Sequence, residues 1–274
     1  MAKKNKEVKE MSFLDHLEEL RWHLVRSSFA IMIFATIAFF LKELIFDVIL
    51  FAPKDPNFIT YRFFCEVSKV FNVDGLCIDE MPFTFQSLAM GEQFSVHIWT
   101  SITVGFIVAF PFIIYEFWKF ISPGLYESER KNARSFIIVS SILFFIGVLF
   151  GYYVVVPLSV NFLGNYSISD LVERNIKIDS YMSLVRSSLL ACGLVFELPI
   201  IMYFLTKIGV VSSKFLKTYR KHALVLVLIL AAIITPPDII SQIIVAIPIL
   251  ILYEISIFIS KLVEKRQLKR EKKA

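Results

Sequence analysis

The chain has 274 residues, of which 57% are hydrophobic and 15% aromatic, and its mean hydropathy is +0.68. An ordinary soluble domain is about half apolar, so this composition predicts an integral membrane protein. The net charge of +5 does not indicate a nucleic-acid-binding protein, because Lys and Arg flank the apolar stretches instead of clustering on one face.

The N-terminal segment, residues 1–22, is polar and Lys-rich and does not resemble a cleavable signal peptide. Ser12 and Asp15 have the spacing of a capping box. Four apolar residues recur on one helical face, at Phe13, Leu17, Leu20 and Leu24. We therefore expect an amphipathic helix at the cytoplasmic membrane surface. The simplest interpretation of its acidic residues is a solvated charged face.

Six apolar segments are separable, at residues 23–45, 94–119, 135–161, 182–206, 222–235 and 239–260. A bilayer core of about 30 Å requires about 20 helical residues, and the first four segments and the last meet this length. The fifth is too short, because its uninterrupted run covers about 20 Å before Pro236 and Pro237 end the helix. Four further prolines predict bent spans that could enclose a concave, cup-like surface: Pro111, Pro157, Pro199 and Pro248.

The connecting segments alternate in Lys and Arg content. Segments 1–22, 121–134, 207–221 and 261–274 together hold 20, whereas segments 47–93, 162–182 and 236–240 hold 5. Since Lys and Arg are retained on the cytoplasmic side, both termini are expected in the cytoplasm. The predicted organisation is an all-α membrane protein with three parts. These are a cytoplasmic segment (1–22), one six-helix membrane domain (23–260, with a long extracytoplasmic loop at 47–93) and a basic cytoplasmic tail (261–274).

The three cysteines differ in their surroundings. Cys65 and Cys77 fall in the loop expected outside the cytoplasm, where an oxidising compartment would permit a disulfide. Two unrelated free thiols remain the alternative. Cys192 lies inside an apolar segment and is expected to be a small buried hydrophobic residue.

Patterns typical of enzymes are missing from the sequence. The four histidines have no metal-binding spacing, and no phosphate-binding loop, Cys-x-x-Cys or Gly-x-Ser-x-Gly motif occurs. The sequence therefore predicts no catalysis, no cofactor and no metal site.

Glu197 is the sharpest polar feature within a span, since its neighbours on both sides are apolar. A carboxylate at that depth costs on the order of 3 kcal/mol on insertion scales unless it faces a cavity or a partner, so a functional role is the first hypothesis. A second acidic group, Glu129, lies in the predicted cytoplasmic loop at 121–134. It could pair internally with Arg130 or offer a carboxylate to an incoming cation, and periodicity does not choose between these.

Several short motifs occur in a particular order along this plan. They are His-Leu-Glu-Glu-Leu-Arg at 16–21, Phe-Ala-Pro at 51–53, Phe-Ile-Ser-Pro-Gly-Leu-Tyr at 120–126, Glu-Arg at 129–130, Phe-Glu-Leu-Pro at 196–199, Thr-Pro-Pro-Asp at 235–238 and Ser-Gln at 241–242. In this order the sequence resembles the TatC family, the multi-spanning subunit of the twin-arginine protein translocase, from about residue 13 to residue 259.

The resemblance implies a receptor in the cell inner membrane and not an enzyme. TatC-like proteins bind the twin-arginine signal peptides of folded proteins, form oligomeric complexes and recruit single-span TatA/TatB-like subunits for export driven by the proton gradient. The partners implied are thus signal peptides, small membrane subunits, further copies of the chain and the lipid bilayer, with no nucleic acid.

The resemblance also assigns residues. The two carboxylates of the signal site map to Glu19 and Glu129, and two guanidinium groups would suit them because carboxylates accept arginine's forked hydrogen bonds. The surrounding site maps to Arg21, Phe120, Pro123, Leu125, Tyr126 and Arg130. Intramembrane polar and partner-contact positions map to Glu197, Thr235 and Gln242. Structural positions map to Pro53, Pro236, Pro237 and Asp238.

Two alternatives stay open from the residues alone. A proton-coupled solute transporter would use Glu197 as its protonatable group, and a purely structural scaffold would need none of Glu19, Glu129 or Glu197. One departure from the family is the loop at 47–93, which is longer than usual, with residues 55–80 as the excess. It could form a cap on the outer face or alter partner contacts.

Overall fold

The computed structural model describes residues 13–71, 81–122, 133–169, 171, 173–235 and 238–271, and most of them are helical. The first half contains α1 (Phe13–Phe40), a π-helical turn (Leu44–Leu50), a 3₁₀ turn (Ala52–Lys54), α2 (Ile59–Phe71), β1 (Thr84–Gln86) and α3 (Glu92–Ile121). The second half contains α4 (Ala133–Phe150), a second π-helical turn (Gly151–Val155), α5 (Val156–Asn165), β2 (Asn175–Lys177), α6 (Ile178–Phe196), α7 (Leu198–Lys207), α8 (Ser213–Thr218), α9 (Arg220–Ile234) and α10 (Ile239–Glu271).

Five helical segments are long and apolar enough to cross a membrane. They are Leu17–Phe40, Glu92–Ile121, Arg134–Asn165, Ile178–Lys207 and Ser241–Leu268. Helix α9 corresponds to the fifth predicted segment but has 15 residues, or about 22 Å, which is shorter than a bilayer core. The chain is therefore a mostly helical, multi-pass membrane protein, and the prediction of a sixth crossing rests on this short helix.

Two helices run through boundaries that the sequence suggested. Helix α1 is continuous from Phe13 to Phe40, so the described part of the segment expected to form an amphipathic interfacial helix is continuous with the first span, and its interfacial position stays a prediction. Helix α10 continues to Glu271, which makes the described part of the basic tail an extension of the last span. Ser12 of the predicted capping box lies outside the described residues.

Two of the four prolines coincide with interruptions in the helical pattern of their spans. Pro157 follows the π-helical turn that interrupts the third span, and Pro199 follows a break at Glu197 between α6 and α7. A proline lacks the amide that would donate to the carbonyl four residues earlier, which explains the change of register. Pro111 and Pro248 lie within continuous helices, α3 and α10.

The helices approach each other closely at small residues, as in other membrane bundles. A Cβ atom added to Gly105 of α3 would lie 2.6 Å from the backbone nitrogen of Ala35 in α1. A Cβ atom added to Gly147 of α4 would lie 2.6 Å from the carbonyl oxygen of Cys192 in α6. Cys192 is a buried free thiol, which agrees with its predicted role as a small core residue.

One end of the bundle carries a cap, which comprises the two turns at Leu44–Leu50 and Ala52–Lys54, helix α2, and strands β1 and β2. The strands pair in parallel, with Phe85 opposite Ile176. The Tyr181 hydroxyl donates to the carbonyl of Leu50 at 2.8 Å. The ring of Phe83 lies against Gly164 of α5. The long loop at 47–93 thus includes ordered elements that pack on the third and fourth spans.

Tyr61 connects helix α2 to another part of the cap and to the third span. Its hydroxyl lies 2.9 Å from the carbonyl oxygen of Pro53 and 3.0 Å from that of Pro157. Burial raises the pKa of the Tyr61 phenol, so the group stays protonated and remains a donor. Pro53, expected to be structural, is buried at this junction. Cys65 of the same helix is disulfide-bonded, whereas its predicted partner Cys77 lies outside the described residues and the pairing stays a prediction.

Candidate functional site

The start of α1 and the end of α3 meet at the end of the bundle opposite the cap. Here Glu116 of α3 lies among three basic groups and is 3% exposed. Its Oε2 atom is 2.7 Å from His23 Nδ1 and 3.7 Å from Arg26 Nη1, and its Oε1 atom accepts a hydrogen bond from Lys119 Nζ at 3.2 Å. The carboxylate of Glu116 is therefore already satisfied by partners within the chain. We name these four residues the Glu116 cluster.

Glu19 lies one helical turn before His23 in α1, and its Oε1 atom is 4.0 Å from His23 Nε2. The side chain is 33% exposed, yet its Oε2 atom is buried and has no hydrogen-bond partner. A buried acceptor without a donor costs about 1–3 kcal/mol. Glu19 therefore has an acceptor that is not used within the described residues, in contrast to Glu116.

Phe120 reaches the same place from the last turn of α3. Its ring centroid lies 6.2 Å from that of His23 in an edge-to-face arrangement. Two of the predicted site residues, Glu19 and Phe120, are thus brought together around one histidine. Arg21 is exposed and lies about 200° around α1 from Glu19, so it projects from another side of the helix.

The remaining residues of the predicted signal site lie outside the described residues. They are Pro123, Leu125, Tyr126, Glu129 and Arg130. The described part of α3 and its C-cap ends at Ser122, two residues after Phe120. The approach of Glu129 to Glu19 stays a prediction.

Sequence reasoning missed the Glu116 cluster. His23 and Glu116 are 93 residues apart, so neither helical spacing nor a motif connects them. The available signal was the presence of two polar residues at the ends of two apolar stretches. Their pairing depends on the packing of α1 along α3, which the sequence alone does not define.

Glu197 occupies the break between α6 and α7. It is 6% exposed, and its Oε2 atom accepts a hydrogen bond from the Ser140 hydroxyl of α4 at 2.7 Å. Its Oε1 atom is buried without a partner. The expectation that this acid needs a partner is met on one oxygen only.

Thr235 and Gln242 flank the junction between α9 and α10. The Thr235 hydroxyl donates to the Ala231 carbonyl at 2.8 Å, and Gln242 Nε2 donates to the Leu228 carbonyl at 3.0 Å. Both side chains therefore have internal contacts, and those of Gln242 join the two helices. Asp238, expected to be structural, caps α10, because its Oδ2 atom accepts from the backbone amide and the hydroxyl of Ser241. Pro236 and Pro237 lie outside the described residues.

Within the described ranges, no group of three or more His, Cys, Asp or Glu side chains is arranged to hold a metal ion. The chemistry available at the Glu116 cluster and Glu19 is hydrogen bonding and charge pairing.

Comparison with known proteins identifies relatives along almost the whole chain. The family profile described as Sec-independent protein translocase protein (TatC) matches residues 15–248. The Sec-independent protein translocase protein TatC of Blattabacterium sp. subsp. Periplaneta americana (strain BPLAN) is 44% identical over 263 residues, which cover 95% of this chain and 99% of that protein. The TatC protein of Aquifex aeolicus (strain VF5) is 35% identical over 258 residues, covering 94% and 98%.

A solved structure shares the fold. A crystal structure described as that of the twin-arginine translocase receptor TatC superposes with a TM-score of 0.68 at 35% sequence identity. The match covers 91% of this chain and 99% of that chain.

Proposed function

Because the chain belongs to the TatC family of Sec-independent protein translocase proteins, we propose that it is the receptor subunit of the translocase. In this role it binds the twin-arginine signal peptides of folded proteins and recruits single-span TatA/TatB-like subunits for export driven by the proton gradient. The alternation of Lys and Arg between successive segments supports a placement in the cell inner membrane with both termini in the cytoplasm.

The free carboxylate oxygen of Glu19 carries this proposal. Glu116 lies nearby but is engaged by His23, Lys119 and Arg26, whereas Glu19 Oε2 has no donor. A guanidinium group from a signal peptide would supply that donor in a charge-assisted hydrogen bond, which is about twice as strong as a neutral one. The side chain is 33% exposed but its Oε2 atom is buried, so binding would require the carboxylate to turn toward the peptide.

The second carboxylate of the proposed site is Glu129. It belongs to the segment that leaves α3 beside Phe120, and two arginines in succession would require two acidic groups. Phe120 would contribute an aromatic face for the apolar part of the signal or for a guanidinium plane. The unpaired oxygen of Glu19 would accept a hydrogen bond from one arginine of the signal, and Glu129 is proposed as the acceptor for the other.

The partner surface is proposed at α9 and the start of α10. Several apolar side chains of α9 are exposed, among them Leu224, Val225, Leu226, Ile229 and Ile233. A helix of about 22 Å would also thin the bilayer beside it. A single-span partner helix could cover this surface, with Thr235 and Gln242 as polar groups beside it. Glu197 is proposed as a further polar contact position, deeper along the fourth span.

Site-specific crosslinking in membranes tests the signal site. A twin-arginine peptide carrying a photoreactive residue is compared with its Lys-Lys version on the unaltered chain and on Glu19→Gln, Glu129→Gln and Glu18→Gln variants. Glu18 is the matched control, because it is an exposed acid adjacent to Glu19 on another face of α1. We expect the Lys-Lys peptide and the Glu19 and Glu129 variants to lose crosslinks and Glu18→Gln to keep them.

Equal crosslinking of both peptides to all four proteins would disprove the assignment of the site. Loss of crosslinks in Glu18→Gln to the same degree as in Glu19→Gln would indicate a general loss of negative charge and would also argue against a specific contact at Glu19.

A further inference from the structure

Helix α2 of the cap presents three different sides. On a helical wheel with about 100° per residue, its buried residues Thr60, Tyr61 and Ser68 occupy one sector. The exposed surface opposite is divided into two flanks. Three large apolar residues fall within about 40° of each other, and they are Ile59 (64% exposed), Phe63 (61%) and Val70 (75%). The other flank holds Arg62, Glu66 and Lys69, all exposed.

The contacts of the buried sector orient these flanks. Thr60, at the edge of the sector next to the apolar flank, donates a hydrogen bond to the carbonyl of Tyr153. Tyr61, at the edge next to the charged flank, donates to the carbonyl of Pro157, one turn farther along the third span. The apolar flank of α2 therefore lies on the side of the helix nearer to Arg134 along that span. The charged flank, about 70° farther around α2, faces outward from the span.

The depth of α2 follows from the length of the same span. Tyr153 is 19 residues after Arg134, which is about 28 Å along a helix and close to the thickness of a bilayer core. A stripe of exposed apolar side chains runs along this stretch and consists of Ile138, Ile142, Ile146, Leu149 and Tyr153. Just beyond Tyr153 the span is covered, since Val155, Val156 and Val160 are buried, and it becomes exposed again at Leu163.

Aromatic side chains cluster at the depth of Tyr153 in the third span. The ring of Phe58, just before α2, stacks on that of Tyr153 at 5.8 Å and meets that of Tyr152 edge-to-face at 5.6 Å. Tyrosine is enriched where a membrane meets water. The exposed apolar flank of α2 therefore continues the lipid-facing stripe at the point where the span leaves the hydrocarbon.

We propose that α2 is an interfacial helix that inserts its Ile59, Phe63 and Val70 flank between the lipid headgroups of the cap-side leaflet. The neighbouring charged flank remains in water, and the stems of Arg62 and Lys69 let their charges reach headgroup phosphates. The occupant of this surface is the bilayer itself. The helix thereby anchors the cap to the membrane at a second place, independent of the spans.

Spin labels on α2 test this inference directly. A label is attached at position 63 or 70, or at the matched control positions 62 and 69, through a genetically encoded azido residue that leaves the cysteines unaltered. The full chain is reconstituted in vesicles of phosphatidylethanolamine and phosphatidylglycerol. Power-saturation spectroscopy then measures accessibility to oxygen, which concentrates in the bilayer, and to a water-soluble nickel chelate. Labels at Leu149 and Leu171 calibrate the lipid and water limits.

We expect the ratio of oxygen to nickel accessibility to be several-fold higher at positions 63 and 70 than at 62 and 69, and to approach the ratio at Leu149. Equal ratios at all four positions, similar to that at Leu171, would overturn the proposal. Low accessibility of positions 63 and 70 to both reagents would also overturn it, because a second copy of the chain or another protein would then cover the flank.

Discussion

The Thr60 hydroxyl donates a hydrogen bond to the carbonyl oxygen of Tyr153 and so connects the cap to the third span. An α-helix would supply that carbonyl with the amide of residue 157, but Pro157 has no amide hydrogen. The cap thus provides the donor that the proline removes. The cap contact at Thr60 and the missing amide at Pro157 therefore involve the same carbonyl group, that of Tyr153.

Replacement of Thr60 by valine should destabilise the protein by about 1 kcal/mol, because it removes the hydroxyl and keeps the shape of the side chain. Thr60→Ser retains the donor and should be closer to the unaltered chain. Thermal unfolding of the purified protein in detergent measures both. The cost of Thr60→Val should shrink in a Pro157→Ala background, where an amide becomes available to the carbonyl.

An equal cost of Thr60→Val in the unaltered chain and in the Pro157→Ala background would show that the hydroxyl does not replace the missing amide. A large cost of Thr60→Ser would point to packing of the threonine methyl group instead.

Gly164 provides a second test of the cap. A Cβ atom there would lie 2.7 Å from two ring atoms of Phe83, so Gly164→Ala should displace Phe83 and loosen β1 from β2. We expect faster backbone hydrogen exchange at residues 81–86. Gly91→Ala is the control, because an added Cβ atom meets nothing within 4 Å there. Unchanged exchange in Gly164→Ala would mean that the Phe83 contact does not position the strand.

Much of the helical plan follows from local sequence. Long apolar segments predict spans because the bilayer sets their length, and Pro157 and Pro199 predict bends because they lack amides. The short α9 is likewise visible as an apolar run that is too brief. The sequence does not decide between the two alternatives for the loop at 47–93, because contacts of the cap join residues such as Tyr181 and Leu50, which are 131 positions apart.

The residues of the candidate site also fall into two groups, those that the sequence indicated and those that only the packing of the helices shows. Resemblance to a family identified Glu19 and Phe120, and packing then placed both beside His23. The sequence does not single out Glu116, since an acid near a span end has ordinary explanations. Its importance comes from three basic partners on two helices, and only the relative rotation of α1 and α3 determines that they meet.

Ser140 is the partner of Glu197, and its removal should lower stability. Ser140→Ala would leave both buried oxygens of the carboxyl group without a donor, at a cost of about 1–3 kcal/mol. Ser141→Ala is a matched control, because the Ser141 hydroxyl donates only to the Ile137 carbonyl of its own helix. Chemical unfolding in mixed micelles compares the two variants.

A double-mutant cycle assigns that cost to the pair. Glu197→Gln carries an amide in place of the carboxyl group, so the penalty of Ser140→Ala should change in its presence. Additive effects of Ser140→Ala and Glu197→Gln would contradict a direct interaction, whatever their individual sizes.

Glu116 is expected to support signal binding without contacting the peptide. Glu116→Gln keeps the size of the side chain but leaves His23, Arg26 and Lys119 without their shared counter-charge beside Glu19. The surplus positive charge of these three residues would then repel an arginine of the signal. Affinity for a twin-arginine peptide should fall by about tenfold, which corresponds to about 1.4 kcal/mol. Fluorescence anisotropy of a labelled peptide measures it.

Glu254→Gln is the matched control for this variant. Glu254 also pairs with a basic residue, Arg220, at 2.6 Å, but both side chains are about half exposed and lie away from Glu19. An exposed pair contributes little, so the affinity should not change. Higher salt should weaken the effect of Glu116→Gln, because added ions screen the repulsion. An affinity loss that is insensitive to salt would instead indicate that Glu116 positions α1 and α3, and that the charge itself does not matter.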